Sequence, residues 1–156
     1  MTNRRSALVS ASGLAAAALL MSGCAVFSPV QTDVNYLPGD GTQLEMPGLG
    51  LRNLVVVTDE LGAPGVLVGQ AVNLGDVPIQ VTFAVEGSST PAAATVPAFA
   101  ATPIAQTPTR VDIDSVPAAP GGMVTMVIAT REAGQNLVQV PVLRAQGQYD
   151  GLLDQQ

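Results

Sequence analysis

A large apolar residue at every second position along one stretch of the chain limits its fold more than any other feature. From Val77 to Glu86 an apolar side chain stands at every second position, with Gln80 and Thr82 among the residues between them. The apolar set is Val77, Ile79, Val81, Phe83 and Val85. A period of two matches an extended strand, whereas a helix would spread the same positions all round its surface. The stretch therefore predicts a half-buried β-strand with this set on its buried face.

Similar patterns recur along the chain between Gly- and Pro-rich turns. Five more firm strands are predicted at Leu51–Asp59, Val66–Asn73, Thr109–Val116, Met123–Thr130 and Leu137–Leu143, with weaker candidates at Val34–Tyr36 and Leu44–Met46. The continuous apolar run that begins at Met123 is typical of a central strand, and Pro141 indicates an edge or a bulge. We expect an all-β fold over residues 34–145, an antiparallel immunoglobulin-like β-sandwich of about seven strands.

Two segments lack a strand pattern. Residues 87–108 contain Pro91, Pro97, Pro103 and Pro108 among Ala, Ser and Thr, which predicts a long loop. A loop of this length is either functional or mobile, and the Ala/Pro composition favours a mobile one, with an edge strand near Thr95–Phe99 as an alternative. Residues 146–156 are predicted to form a polar tail.

The start of the chain has the order of a secretory signal. Arg4-Arg5 precedes the apolar run Ala7–Met21, and small residues then precede Cys24. The run has 15 residues, and an uncleaved membrane helix needs about 20. An ordinary signal peptide is the second alternative, but it leaves the chain's one cysteine at the secreted N-terminus with no disulfide partner.

The residues Leu19–Cys24 resemble the lipobox of bacterial lipoproteins. The resemblance implies a signal peptide of residues 1–23, cut between Gly23 and Cys24, and a diacylglyceryl thioether on Cys24 with a further acyl chain such as palmitate on the new amine. Two or more acyl chains anchor a protein stably. Residues 24–33 then form a lipidated tether, and the domain lies at the extracytoplasmic face of the cell membrane, with the covalent lipid and no other cofactor.

Composition excludes several classes of function. The chain has no histidine and no lysine, so Ser-His, Cys-His and Ser-Lys nucleophile pairs and histidine-ligated zinc are impossible. After cleavage, 12 acidic residues face four arginines, because Arg4 and Arg5 of the six are removed, and the net charge is −8. Such a chain repels phosphate backbones, so we expect no nucleic-acid partner. No pattern suggests two carboxylates across a cleft, and we expect no enzyme activity.

Carboxylates offer one candidate for metal binding. Asp112 and Asp114 are two residues apart on a predicted strand and therefore point the same way. Calcium needs more oxygen ligands than two carboxylates supply. The further candidates are Asp59, Glu60 and Asp76. The favoured interpretation is a solvated strand face on which Arg110 is the neighbour of the carboxylates.

The segment Pro120–Met126 resembles the end of the copper-binding motif of the PCuAC family. That motif has Pro-Gly-Gly, then one residue, then His-x-Met, on a similar sandwich. Met126 stands at the methionine position, but Val124 replaces the histidine, and the other ligand positions fall near Thr102 and Pro91. The resemblance therefore implies the fold without the copper ligands.

Methionine side chains are a second, weaker set of candidate copper ligands, because thioethers bind Cu(I). The candidates are Met46, Met123 and Met126. Met123 and Met126 are three residues apart, so on one strand they face opposite sides. Core methionines that fill gaps are the favoured interpretation, and a copper carrier with a degenerate methionine site is the alternative.

A wider pattern, Leu51–Val57, Val68–Asn73, Gly75-Asp76 and Pro78 after the lipobox, resembles small actinobacterial Lpq-type, LpqE-like lipoproteins. The resemblance implies a non-enzymatic protein of the cell envelope. It also implies a protein partner, and that partner could be the respiratory cytochrome bc–aa3 complex, with this chain as an accessory subunit on its outer face.

Overall fold

Nine β-strands make up about half of the residues that the structure describes, as the alternating patterns lead us to expect. The structure is a computed structural model and describes residues 39–155, which belong to one compact unit beginning at Gly39. The strands are β1 (Thr42–Met46), β2 (Leu49–Thr58), β3 (Gly65–Asn73), β4 (Ile79–Val85), β5 (Ala92–Val96), β6 (Ala100–Pro103), β7 (Val111–Ile113), β8 (Met123–Thr130) and β9 (Gly134–Leu143). Two 3₁₀ helices, Gly147–Tyr149 and Leu153–Gln155, follow. The predicted all-β class is confirmed, with nine strands in place of about seven.

The strands form two sheets that share β9. The first sheet is antiparallel, in the order β5-β4-β8-β9, and β8 is central as predicted. The second sheet continues from β9 through β2 to β3. Strands β6 and β7 both pair with β3, β6 with its second half and β7 with its first residues. Because Val56 and Val57 of β2 pair in parallel with Val142 and Leu143 of β9, the pairing is mixed and not wholly antiparallel. Strand β1 pairs with the first half of β2.

The core lies between the inner faces of the two sheets. Strand β4 contributes Val81, Phe83 and Val85, which alternate with more exposed residues as predicted. Full burial of a side chain such as Phe83 contributes about 1.5–3 kcal/mol. Val77 is an exception to the prediction, since it lies before β4 begins and is 61% exposed.

The prediction of one long loop over residues 87–108 is wrong. The segment contains β5 and β6, and the alternative edge strand near Thr95–Phe99 is off by a few residues. Three of its four prolines lie at strand ends, since Pro91 precedes β5, Pro97 follows it and Pro103 closes β6. Both strands lie at the ends of the strand order, where a missing backbone donor is tolerated.

Pro141 marks a locally unpaired edge of β9 and not a bulge. It lies in β9, which has β8 on one side and β2 on the other. The register with β8 is unbroken at the pair of Pro141 and Met123. The ladder with β2 begins only at the next residue, Val142, so the proline lies just outside it.

The C-terminal segment is packed and is not the polar tail that the sequence predicts. Tyr149 is buried against Val55, Val57 and Val66, on the face of the second sheet turned away from the core. Leu152 and Leu153 pack against the same cluster. Three apolar side chains spread through a polar segment are too sparse for a strand or helix pattern, which is why the sequence did not reveal the contact.

Several predictions concern residues outside the described range. The signal peptide 1–23, the lipidated Cys24, the tether 24–33 and the weak strand Val34–Tyr36 all belong to this group. Within residues 39–155, no helix is both long and apolar enough to cross a membrane.

Candidate functional site

Three large apolar side chains are exposed together at one end of the fold. Leu74 is 77% exposed and Val77 is 61% exposed, and both lie in the turn between β3 and β4. Phe99, in the turn between β5 and β6, is 75% exposed. The backbone N–H of Phe99 donates to the carbonyl oxygen of Gly75 at 3.0 Å, which joins the two turns. We call Leu74, Val77 and Phe99 the apolar tip.

A buried asparagine holds the apolar tip in place. Asn73, at the end of β3, is fully buried. Its Nδ2 donates to the carbonyl oxygens of Val77 at 2.8 Å, Pro97 at 3.1 Å and Val96 at 3.3 Å. Its Oδ1 accepts from the backbone N–H of Gly75 at 2.9 Å. One side chain therefore satisfies backbone groups in both turns, which orders residues that pack against little else.

The backbone of Phe99 is strained. Its φ of 51° lies in the left-handed region, which bulky residues rarely adopt because Cβ crowds the following carbonyl oxygen. Such a conformation costs about 1–3 kcal/mol, and strained residues cluster at functional sites. A ring that is 75% exposed contributes little packing energy to the fold, so Phe99 is a candidate for contact with another molecule.

An open groove of about 840 Å³ lies beside the apolar tip. Val77, Pro78 and Ile79 form the side next to the tip, and Arg131 and Glu132 of the β8–β9 turn lie among its other lining residues. In the described part of the chain neither Arg131 nor Glu132 forms an ion pair. The groove is thus apolar at one side and charged at another, which suits contact with a protein surface.

Sequence reasoning missed the apolar tip for a definite reason. It placed Val77 on a buried strand face and Phe99 at the end of an edge strand within a mobile loop. The sequence did contain one indication of the tip. Asn73 is a polar residue at the end of an apolar strand, directly before a turn, and asparagine side chains at such positions often form hydrogen bonds with the backbone of the turn.

The carboxylate candidates remain separate. Asp112 pairs with Arg110, and its Oδ1 lies 2.7 Å from Nε of the arginine, so Arg110 is its neighbour as the sequence led us to expect. Asp114 is exposed. Among residues 39–155 no group of three or more acidic, His or Cys side chains is arranged to hold a metal ion, and Asp59, Glu60 and Asp76 do not join the pair.

The three candidate methionines also lie apart. Met126 is 1% exposed on the inner face of β8, whereas Met123 is 52% exposed, so the two face opposite sides as predicted. The sulfur of Met46 accepts from Nδ2 of Asn136 at 3.5 Å, and Asn136 pairs with Ile128. Ile128 is five residues along β8 from Met123, about 17 Å at the rise of a strand.

The positions of the copper motif do not fit a metal site in this chain. Val124, at the histidine position, is buried in the core at 3% exposure. Pro91 is exposed before β5, and Thr102 is half-buried in β6. None of the three offers a ligand that copper prefers, and the whole chain has no histidine.

A smaller pocket of about 290 Å³ lies under the C-terminal segment and is lined in part by Asn53, Gln148 and Tyr149. The hydroxyl of Tyr149 is buried and has no hydrogen-bond partner among the described residues. Burial raises the pKa of the Tyr149 phenol, and the negative charge of Asp40 acts in the same direction. The phenol therefore stays neutral at physiological pH.

Comparison with solved structures defines the class of fold. The apo PCuAC domain from PmoF1 has a TM-score of 0.51 at 14% sequence identity, over 65% of this chain and 98% of that one. The copper-bound PCuAC domain from PmoF2 has a TM-score of 0.49 at 16% identity, over 66% and 98%. No family model and no curated protein matches the sequence. The chain thus shares its fold with PCuAC domains, as the Pro120–Met126 segment led us to expect, and membership of the Lpq-type lipoproteins stays a prediction.

Proposed function

We propose that this protein is a non-enzymatic interaction module, held at the outer face of the cell membrane by a lipid on Cys24, and that its apolar tip binds a protein partner in the cell envelope. The observation that carries the proposal is the tip itself, three exposed apolar side chains whose turns are fixed by buried Asn73.

The energetics of the apolar tip favour binding. Burying a Leu, Val or Phe side chain contributes about 1.5–3 kcal/mol, so the tip offers several kcal/mol to a partner with a matching apolar surface. Because Asn73 already holds both turns, little conformational entropy remains to be lost on binding. Aromatic side chains near the centre of an interface often dominate its affinity, and Phe99 is the aromatic residue of this tip.

The finer proposal is that the partner is the respiratory cytochrome bc–aa3 complex, with this protein as an accessory subunit. Its support is the resemblance to Lpq-type lipoproteins. Crosslinking in intact membranes, followed by mild detergent extraction and pull-down, tests it. Recovery of the complex subunits supports the assignment, and recovery of the protein only as a free monomer counts against it.

The same pull-down with Phe99→Asn tests the apolar tip. Asparagine tolerates a left-handed backbone, so the variant removes the ring without adding strain. We expect recovery of the partner to fall about tenfold or more, since loss of a hot-spot aromatic costs about 2 kcal/mol. Leu61→Asn is the matched control, because Leu61 is 65% exposed in the β2–β3 turn, away from Asn73. Equal loss with both variants would argue against a specific tip.

A copper carrier is the second candidate, favoured by the likeness to the apo PCuAC domain from PmoF1. The proposal needs a methionine-based site, with Met123 as the exposed thioether. Titration of the mature protein with Cu(I) against a competing chelator, beside Met123→Leu, decides it. Binding tighter than micromolar that is lost in the variant supports a carrier, and weaker binding removes the idea.

A further inference from the structure

The pocket of about 290 Å³ under the C-terminal segment has no charged side chain in its lining. Its polar side chains are three carboxamides and one phenol, those of Asn53, Gln106, Gln148 and Tyr149, and the rest of the lining is apolar or backbone. The chain itself has 12 acidic residues and a formal net charge of −6. A pocket without charge in such a chain indicates a neutral ligand, because a charged one would lose water without meeting a counter-charge.

The loop between β6 and β7 forms one wall of the pocket, through Pro103 and Gln106. Ile104 anchors this loop, since its side chain is 1% exposed in the core and its N–H donates to the carbonyl oxygen of Gly69 at 2.9 Å. The hydroxyl of Thr109 donates to the carbonyl oxygens of Pro103 at 2.6 Å and Gln106 at 3.1 Å. The wall is therefore fixed by contacts within the fold, and the pocket is formed before any ligand binds.

Asn53 presents a hydrogen-bond donor in a fixed position. The pairing of β2 with β3 shifts register between Arg52 and Val55, and Asn53 lies within this irregularity with a φ of 52°. Its Oδ1 accepts from the backbone N–H of Gly41 at 2.8 Å, which fixes the carboxamide. Its Nδ2 forms no hydrogen bond with any residue of the described range 39–155. The amide hydrogens of Asn53 are thus available to a ligand.

The other two carboxamides of the pocket add both donors and acceptors. The side chain of Gln106 is exposed and forms no hydrogen bond with a described residue. Nε2 of Gln148 donates to Oδ2 of Asp40 at 3.3 Å, and its Oε1 has no partner in the same part of the chain. An ionised side chain only accepts or only donates, whereas a carboxamide does both, as a hydroxyl group does. The polar lining therefore matches a ligand that carries several hydroxyl groups.

Tyr149 adds a buried hydroxyl that the fold leaves without a partner. The residue is 7% exposed and lines the pocket, and its hydroxyl forms no hydrogen bond among the described residues. Such a group lowers the stability of the folded state, and native proteins keep few of them. The side chain of Gln148 lies beside the hydroxyl and is exposed, so its rotation gives a ligand access to the hydroxyl. A ligand oxygen can then form the missing hydrogen bond.

We propose that this pocket binds one pyranose unit of a neutral sugar. At roughly 30 Å³ for each water molecule the pocket holds about ten waters, close to the roughly twelve non-hydrogen atoms of a hexose. The sugar hydroxyls bond the carboxamides, and its C–H groups pack on half-buried Val68 and Leu152. A phosphorylated sugar lacks a cation to bind, because Arg110 donates to the backbone of Leu152 but is paired with Asp112 and does not line the pocket.

Side-chain amide signals in NMR spectra of the ¹⁵N-labelled mature protein, held in lipid nanodiscs, test the proposal. The probes are the methyl pyranosides of glucose, galactose and mannose, each at about 50 mM, which saturates a site of millimolar affinity. We expect at least one to shift the signals of Asn53, Gln106 and Gln148 with a Kd of about 1 mM, the value for roughly twelve non-hydrogen atoms at ordinary ligand efficiency. Absence of a shift with all three probes overturns the proposal.

Further probes test the class of ligand and its source. Glucuronate and glucosamine carry opposite charges on the same ring, and either one binding more tightly than every neutral probe overturns the neutral class. A neutral trisaccharide that ends in the preferred pyranose separates two sources of the same chemistry. Binding about tenfold tighter than the methyl pyranoside supports the end of a glycan chain, and equal binding supports a free sugar.

Gln106→Ala tests whether the carboxamides of the pocket bind the sugar. Gln106 is exposed and its side chain has no partner in the described range, so the variant leaves the fold intact. We expect the Kd of the preferred probe to rise about fivefold, the value of one neutral hydrogen bond. Gln135→Ala is the matched control, because Gln135 is an exposed glutamine in β9 and lies outside the pocket. The same rise with both variants contradicts the proposal.

Tyr149→Phe separates a binding role of the hydroxyl from a structural one. The variant removes a buried hydroxyl without a described partner, so its Tm should rise. We expect the Kd of the preferred probe to rise about fivefold at the same time, because the ligand loses one hydrogen bond. Weaker binding in a more stable protein supports the proposal. Unchanged binding, or weaker binding together with a lower Tm, contradicts it.

Discussion

Replacing Asn73 with alanine tests whether one buried side chain holds the apolar tip. The Nδ2 group carries two hydrogens shared among three carbonyl oxygens at 2.8–3.3 Å, and Oδ1 accepts one further bond at 2.9 Å. Three hydrogen bonds at a net 0.5–1.5 kcal/mol each give a loss of about 3 kcal/mol. For a domain of this size that corresponds to a decrease in Tm of about 10 °C.

Circular dichroism measures the loss by thermal and guanidinium unfolding of the mature chain. Hydrogen exchange at the backbone N–H of Gly75 and Phe99 reports the two turns separately. We expect exchange at both to accelerate more than in the strands, because the turns have few other contacts.

Asn73→Asp is a second variant that tests the same hydrogen bonds through their dependence on pH. It keeps the acceptor for Gly75 but turns a carboxylate toward three carbonyl oxygens, so burial and repulsion raise its pKa in the folded state above the value of about 3.9 in the unfolded chain. Its deficit in stability relative to the wild type is therefore largest at pH 7 and shrinks as the pH falls to 4. A loss below 1 kcal/mol in Asn73→Ala, or a deficit in Asn73→Asp that is independent of pH, would refute the reasoning.

Two further predictions concern other polar groups. Tyr149→Phe removes a buried hydroxyl without a described partner and should stabilise the fold by about 1 kcal/mol. Because burial raises the pKa of the phenol, the stability of the wild type is constant below about pH 10 with respect to this group and falls as the pH rises through the higher folded value. The variant has no phenol at this position and does not show the fall; melting curves from pH 8 to 11 check this. Asn53 has a φ of 52°, and its Oδ1 accepts from the N–H of Gly41 at 2.8 Å. Asn53→Ala should therefore lose about 2 kcal/mol, and Asn53→Gly, which loses only the hydrogen bond, about half as much; equal losses in guanidinium unfolding would contradict a backbone contribution.

The positions of most strands could be predicted because the alternation of apolar and polar residues within a strand shows which of its side chains are buried. Strand β4 alternates Val81, Phe83 and Val85 with more exposed residues, and the structure buries all three. Where the pattern was weak, prediction failed. The segment around β5 and β6 is rich in Ala and Pro, so its burial depends on neighbours and not on its own periodicity.

The candidate site was less predictable than the fold. The candidate methionine and carboxylate ligands do not lie together in one site. Residues close in the sequence can face opposite sides of a sheet, as Met123 and Met126 do. The exposed Phe99 depends on Asn73, which is 26 positions earlier in the chain. No local pattern connects the two.

The sequence alone determined the all-β class, the approximate strands and the exclusion of histidine-dependent chemistry, because alternation and composition are properties of short segments and of totals. Only the tertiary structure decided the parallel contact of β2 with β9, the cover over Val55 and Val57, and the apolar tip. These features depend on contacts between residues far apart in the chain, such as Asn73 and Val96, which are 23 positions apart. Such contacts contribute to stability only when the sheets have formed.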